Sequence, residues 1–373
     1  MSPTGSPPAA LSLTARLVDG WAGPIVLAIY AVAVLALGDR LAGLPALAVV
    51  HTVVELAMLM LGVAVAVHHA EDIAHALGEP YGTLVLTLAV TVIECSLILA
   101  VMLSGKGNPM LARDTVFAVI MLVMNGLVGA CFLTGGLKWG EQSFRASSAR
   151  AYLMVLIPFG VLTMVLPRFT TTAAGPFYST SQTLFVAFVT LALYGIFLYV
   201  QTVRHRGFFD VERAPDEAEH VFHWPPPSRY ARLTLALVAI VLLAKSFAAS
   251  MEQAIAAVGA PPAAIGVLVA LLVLLPESVA AIQAARADQL QRSINLALGS
   301  SIATIGLTVP AVGILSLVLG TPLELGLGPT EMVLLALTFV VSMVTFSGGH
   351  TTILSGSVHL VMLATFVFLL FVP

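Results

Sequence analysis

Two carboxylates stand where a hydrocarbon environment should discourage them. Glu94 lies near the middle of the apolar run 82–104, and Glu277 somewhat past the middle of the run 263–285. An ionised side chain at the bilayer centre costs about 2.5–3.5 kcal/mol by insertion scales, so both acids need a compensating use. A low-dielectric surround favours the protonated acid. A hard divalent cation favours the ionised pair instead, and carboxylate oxygens suit Ca²⁺. If both side chains face the bundle interior and each other, protons and cation compete for the same oxygens. That competition is the chemistry of proton–cation exchange. The rival reading is a pair of protonated glutamates that only join helices.

Polar residues at helical spacing surround the two acids. Thr87, Thr91 and Glu94 fall at i, i+4 and i+7 and so share one helix face. Ser300, Thr304 and Thr308 share another, beside a stripe of Asn295, Gly299, Ile302 and Gly306. Pro276 precedes Glu277, and Ser278 follows it. The proline removes a backbone donor and can free the carbonyl of Leu272, and unwound carbonyls coordinate cations in secondary transporters. Hydroxyls and small residues are also ordinary packing devices in lipid, which leaves Asn125 and Asn295 as stronger candidates for an ion path. His51 and Glu55 stand at i, i+4; two ligands do not make a zinc site, so they read as a gate or packing pair. Glu71, Asp72 and Glu252 lie near span ends, where acids could draw cations to an entrance. Lys245 reads as a snorkelling side chain. His350 and His359, after the Gly348-Gly349 break, offer a weaker proton site.

The elements that must position these residues follow from composition. The chain has 373 residues, 59% hydrophobic and 9% charged, against roughly 25% charged in soluble domains. This excludes a soluble globule, and a net charge of −3 excludes a nucleic-acid binder resting on a basic face. Cys95 and Cys131 are too few for a disulfide framework and too far apart for a cysteine zinc site. The first 20 residues lack the pattern of a secretory signal, so the first apolar run is expected to be retained. By the length needed to cross a bilayer, eleven spans are predicted: 21–38, 43–67, 82–104, 114–134, 151–167, 181–203, 233–250, 263–285, 293–319, 329–347 and 353–372. The fold class is therefore all-α integral membrane, without the alternating strands of a barrel. Eleven Lys and Arg fall in loops on the side of the N-terminus and four on the other. The N-terminus is predicted cytoplasmic and the C-terminus external.

The run 204–232 is the one long polar segment, with Asp210, Glu212, Asp216, Glu217, Glu219, His220 and His223, and reads as a cytoplasmic linker. It separates 43–203 from 233–373, with residues 1–42 as an N-terminal tail and extra helix. The two long units share an order of features. Glu71, Gly78 and Pro80 match Glu252, Gly259 and Pro261. Each set leads into a span with a single carboxylate, a short basic loop, and a span containing Asn125 or Asn295. Each unit holds five helices, an odd number, so spans 2–6 and 7–11 cross in opposite senses. Inverted repeats mark secondary transporters, whose sites lie near mid-membrane at the repeat interface.

Three stretches carry a resemblance to a known family. They are LGEPYGTLVLTLAVTVIECSLILAVM (Leu77 to Met102), LLPESVAAIQAARADQLQRSINLALGSSIATIGLTVPAV (Leu274 to Val312) and YGIFLYVQTVRH (Tyr194 to His205). In consistent order over about residues 45–373, the chain resembles the calcium/cation antiporter superfamily, specifically the bacterial calcium/sodium–proton antiporters of its cation–proton exchanger branch. Val90 and Thr91 stand where many members carry Gly-Asn, and SGGHTTILSG replaces an acidic, Asn-containing version. The resemblance implies Glu94 and Glu277 as shared cation and proton carboxylates, with Asn295, Gly299 and Ser300 around them. The expected function is export of Ca²⁺, with Na⁺ or K⁺ as further cargo, against inward protons by alternating access. The alternatives are a monovalent cation–proton antiporter, a cation channel and an intramembrane metal enzyme, the last resting on His51 and Glu55 alone. No tightly bound cofactor is expected: Ca²⁺ and H⁺ are substrates, and the partners are small inorganic cations and the lipid bilayer. The expected location is the inner membrane of a bacterium.

Overall fold

The computed structural model describes residues 18–41, 45–78, 81–103, 109–209, 224–257 and 259–372. The described chain is helical almost throughout: α1 (Ala22–Leu41), α2 (Pro45–Leu77), α3 (Tyr81–Leu103), α4 (Leu111–Trp139), α5 (Ala146–Arg168), α6 (Thr180–Arg204), α7 (Pro227–Ala257), α8 (Ala263–Arg286), α9 (Leu290–Leu319), α10 (Pro329–Ser347) and α11 (Ile353–Phe371). Among the described residues, nine of these helices are long and apolar enough to cross a membrane, and α1 and α3 carry the shorter apolar stretches Ala22–Ala36 and Leu84–Ala100. This is a multi-pass membrane protein. Asp210 to His223, together with Arg16, Lys106, Glu79 and Pro80, lie outside the described residues.

Two helices run past the spans read from hydropathy. α2 continues to Leu77 and α7 starts at Pro227 and reaches Ala257, because backbone hydrogen bonding does not stop where charges begin. What stops it is glycine. Gly78 (φ +65°) and Gly259 (φ +66°) take the left-handed conformation that side chains disfavour, and the amide of Gly78 donates to the carbonyl of Ala74 at 3.0 Å. These are the two glycines matched in the internal repeat. At α6, Ser179 and Gln182 form a reciprocal capping box.

α2 and α7 pack antiparallel. Glu55 meets Ser246 and Ser250, Gly62 faces Ile240, and Arg229 donates to the carbonyl of Asp72 at 3.1 Å. An apolar cluster joins α1, α2 and α7 to α3, the start of α4 and α8. A second cluster, with Phe132, Tyr152, Phe159 and Phe346 fully buried, ties α4, α5, α9 and α10 together. α4 and α11 approach closely at glycine: a side chain at Gly356 would lie 2.5 Å from the amide nitrogen of Leu133. A two-residue ribbon, β1 (Gln142–Ser143) against β2 (His350–Thr351), is antiparallel and links the two halves. Large apolar residues such as Ile29, Phe188, Val344 and Leu354 stay exposed, as expected of faces that meet hydrocarbon.

α8 runs through Pro276 as one helix. Irregularity falls elsewhere. α4 loosens into a π segment over Leu122–Leu127 and α9 over Thr304–Thr308. Both occur in the second helix after the repeated glycine, and both sit beside polar side chains, where π segments commonly serve function.

Candidate functional site

α3 and the π segment of α9 hold the first carboxylate between them. Glu94 is 1% exposed, and Oε2 accepts a hydrogen bond of 2.8 Å from the Thr308 hydroxyl. Thr304, one turn earlier on the same π segment, lines the neighbouring cavity. Oε1 of Glu94 is buried without a hydrogen-bond partner among the described residues, and so is Oε2 of Glu277 on α8. The charge of Glu277 acts on Glu94, and that of Glu71, on the extension of α2, acts on Glu277.

Glu277 borders a cavity of about 190 Å³ between α3, α6, α8 and α9. At roughly 30 Å³ per liquid water, it has room for several waters or a partly hydrated ion. Thr87, Thr91, Asn295, Gly299, Ser300 and Thr304 line it with Glu277. The hydroxyl of Thr91 turns back onto the carbonyl of Thr87 at 2.8 Å. Asn295 closes one end. Its amide donates to the carbonyl of Phe209 at 2.7 Å, and its oxygen accepts from Gln291 at 2.7 Å and from Ser148 at 3.2 Å. Tyr194 and Gln201 of α6 also line the cavity. They were legible only as part of the YGIFLYVQ motif, because neither carries charge.

Other candidates fall elsewhere. Asn125, in the π segment of α4, donates to the Thr338 hydroxyl at 2.9 Å, and its oxygen lies 3.3 Å from Nδ1 of His359. It belongs to a buried network with His359 and Thr345, apart from the residues lining the cavity. His350 is exposed and lies 3.6 Å from Glu141, so the two histidines do not meet. Glu55 is buried, held by the hydroxyls of Ser246 and Ser250, with His51 Nδ1 at 3.4 Å. Ser278, Pro276 and Glu252 are half-buried and outside the cavity lining, and Lys245 is exposed.

The arrangement offers two buried carboxylate oxygens in an apolar protein: Glu277 borders the cavity with Thr87, Thr91, Ser300 and Thr304, whereas Glu94 lies outside its lining and is held by Thr308. The description "sodium/calcium exchanger protein" matches residues 47–203 and 229–372, covering both halves. The chain belongs to the sodium/calcium exchanger family. Within it, this exchanger is 42% identical over 333 residues to y4hA of Sinorhizobium fredii, covering 88% of this chain and 91% of that protein. It is 39% identical over 311 residues to the sodium-potassium/proton antiporter ChaA of Escherichia coli, covering 82% and 84%. A Ca²⁺/H⁺ antiporter of Synechocystis is 25% identical over 72% of this chain and 76% of its own. The fold is shared with the solved structure of YfkE, at a TM-score of 0.68 and 16% identity, covering 94% of this exchanger and 100% of YfkE. The exchanger stands in the cation–proton branch of the family and is a transporter, not an enzyme.

Proposed function

We propose that this exchanger moves Ca²⁺ out of the cytoplasm against inward protons, with Glu94 and Glu277 as the seat that cation and protons occupy in turn. The observation that carries the reading is the pair of buried, unpartnered carboxylate oxygens, Oε1 of Glu94 and Oε2 of Glu277. Two ionised acids beside the hydroxyls of Thr304 and Thr308 offer a hard cation oxygen ligands alone, as Ca²⁺ prefers. When the cation leaves, protonation removes the charge that an apolar surround disfavours. Two protons per Ca²⁺ is the smallest number that neutralises both glutamates. Glu71 adds negative field toward the cavity and suits an entrance role. In the exchange cycle, α2 and α7 shift against α3, α4, α8 and α9, opening the cavity to one side at a time. The location is a bacterial inner membrane, with the N-terminus cytoplasmic.

A second reading is monovalent antiport of Na⁺ or K⁺, favoured by the 39% identity to a sodium-potassium/proton antiporter. Everted vesicles with an imposed pH gradient separate the two. Proton release on adding Ca²⁺ supports the first; release by Na⁺ and K⁺ but not Ca²⁺ selects the second. Glu94→Gln and Glu277→Gln should each abolish release. Full activity in either variant overturns the shared seat.

A further inference from the structure

The end of α2 carries a cluster outside the cavity lining. His68, His69 and Asp72 each present one ligating atom, and these atoms lie within 4.8 Å of one another. Asp19, just before α1, adds a carboxylate oxygen 3.1 Å from Nε2 of His68, and Asp72 lies 3.9 Å from the same nitrogen. An ion pair alone would account for His68. It leaves His69 unexplained. That imidazole is fully buried, and among the described residues neither ring nitrogen makes a hydrogen bond, although the backbone of Gly20 runs beside it. Buried polar groups are rarely left so.

We infer that His68, His69 and Asp72, with Asp19, form a binding site for a transition-metal divalent cation of the zinc class, which ties the start of α1 to the end of α2. Two imidazoles and two carboxylates are a set that suits Zn²⁺, whereas Ca²⁺ takes six to eight oxygens. The site is therefore chemically distinct from the seat at Glu94 and Glu277. Ligand atoms across a tetrahedral zinc site are about 3.4 Å apart, and those of His68, His69 and Asp72 lie within 4.8 Å of one another, with Asp19 3.1 Å from His68. The backbones that carry the acids are held from α7. Arg229 donates to the carbonyl of Asp72 at 3.1 Å, and Arg232 to that of Asp19 at 2.9 Å. Such outer contacts fix where the ligands stand. Arg232 also places positive charge near His69, which two carboxylates offset.

The test uses the full chain in detergent, with any affinity tag removed, in a Glu94→Gln/Glu277→Gln background so that those carboxylates cannot add binding. Calorimetric titration with Zn²⁺ should show one equivalent bound, undiminished by excess Ca²⁺. Co²⁺ in its place should give the visible absorption of a four-coordinate nitrogen–oxygen site. His69→Ala, and separately Asp19→Asn/His68→Gln, should each weaken Zn²⁺ binding at least tenfold. Because His69 is buried, monodispersity is checked for both; the second variant changes only partly exposed side chains and decides the matter if the first fails to fold. Absence of saturable Zn²⁺ binding overturns the inference. So does one equivalent that survives His68→Ala/His69→Ala/Asp72→Asn, which would place the metal elsewhere.

Discussion

Glu94 accepts from Thr308 at 2.8 Å, so that hydroxyl stabilises its ionised form directly. A hydrogen bond to a charged group contributes about 1.5–3 kcal/mol. Thr308→Val keeps the shape and removes the donor. It should weaken apparent cation affinity by roughly ten- to a hundredfold, while Thr308→Ser keeps it within a few-fold; cation-dependent proton release in vesicles reads both. If protons and cation share one seat, acidifying the cation side should raise the half-saturating cation concentration and leave the maximal rate unchanged. A fall in maximal rate alone would argue for separate seats. The two acids were legible in sequence because charge inside an apolar run is costly. Their partners were less so. Thr308 shares a periodic face with other hydroxyls, and nothing in one dimension says which hydroxyl reaches which carboxylate. Asn125 shows the limit: it matched Asn295 in the repeat, yet its amide is engaged by Thr338.

At the scale of the helices, glycine ends α2 and α7 and glycine lets α4 meet α11. Gly78→Ala and Gly259→Ala each place a side chain at a positive φ, a strain of about 1–2 kcal/mol. Thermal unfolding in detergent should shift down for both, and less for Asn, which tolerates this conformation. Gly356→Leu should be far worse, because its first side-chain atom already crowds the Leu133 backbone. Gly348→Ala, with open space around it and an ordinary φ, is the control and should be neutral. Retention of native elution by Gly356→Leu would mean that α4 and α11 are not packed as described. Nine of the eleven spans read from hydropathy meet the length and apolarity of a membrane helix among the described residues, and these were readable because length and apolarity alone identify such a helix. The π segments of α4 and α9 were not, since a wider turn leaves composition unchanged.

Over the whole molecule, the loop charges predict which face is cytoplasmic. A cysteine at Lys106 should react with a membrane-impermeant thiol reagent in intact cells, and one at Ser228 only in everted vesicles. The native Cys95 and Cys131 are half-buried and buried, respectively, and serve as the unlabelled background. The reverse pattern would invert the direction of exchange. On the face predicted external, Arg113 joins Asp114 at 2.8 Å and Glu324 at 2.6 Å, linking α4 to the segment before α10. All three side chains are 13% exposed. Removing Glu324 as Glu324→Gln leaves Arg113 with one charged partner, and should lower thermal stability by about 1 kcal/mol or more, beyond the value of an exposed pair.

Read by itself, the chain determined that it crosses a membrane many times and which two acids stand apart in its apolar runs. Each of these follows from the cost of charge and of unpaired backbone in hydrocarbon, and that cost is visible along one dimension. Only the tertiary structure decided what those acids touch. The cavity brings α3 and α6 to α8 and α9 from the other half, Thr308 reaches Glu94, and His69 is left buried and unpaired among the described residues. Such contacts depend on how helices rotate about their axes and cross, and packing between distant segments sets those angles.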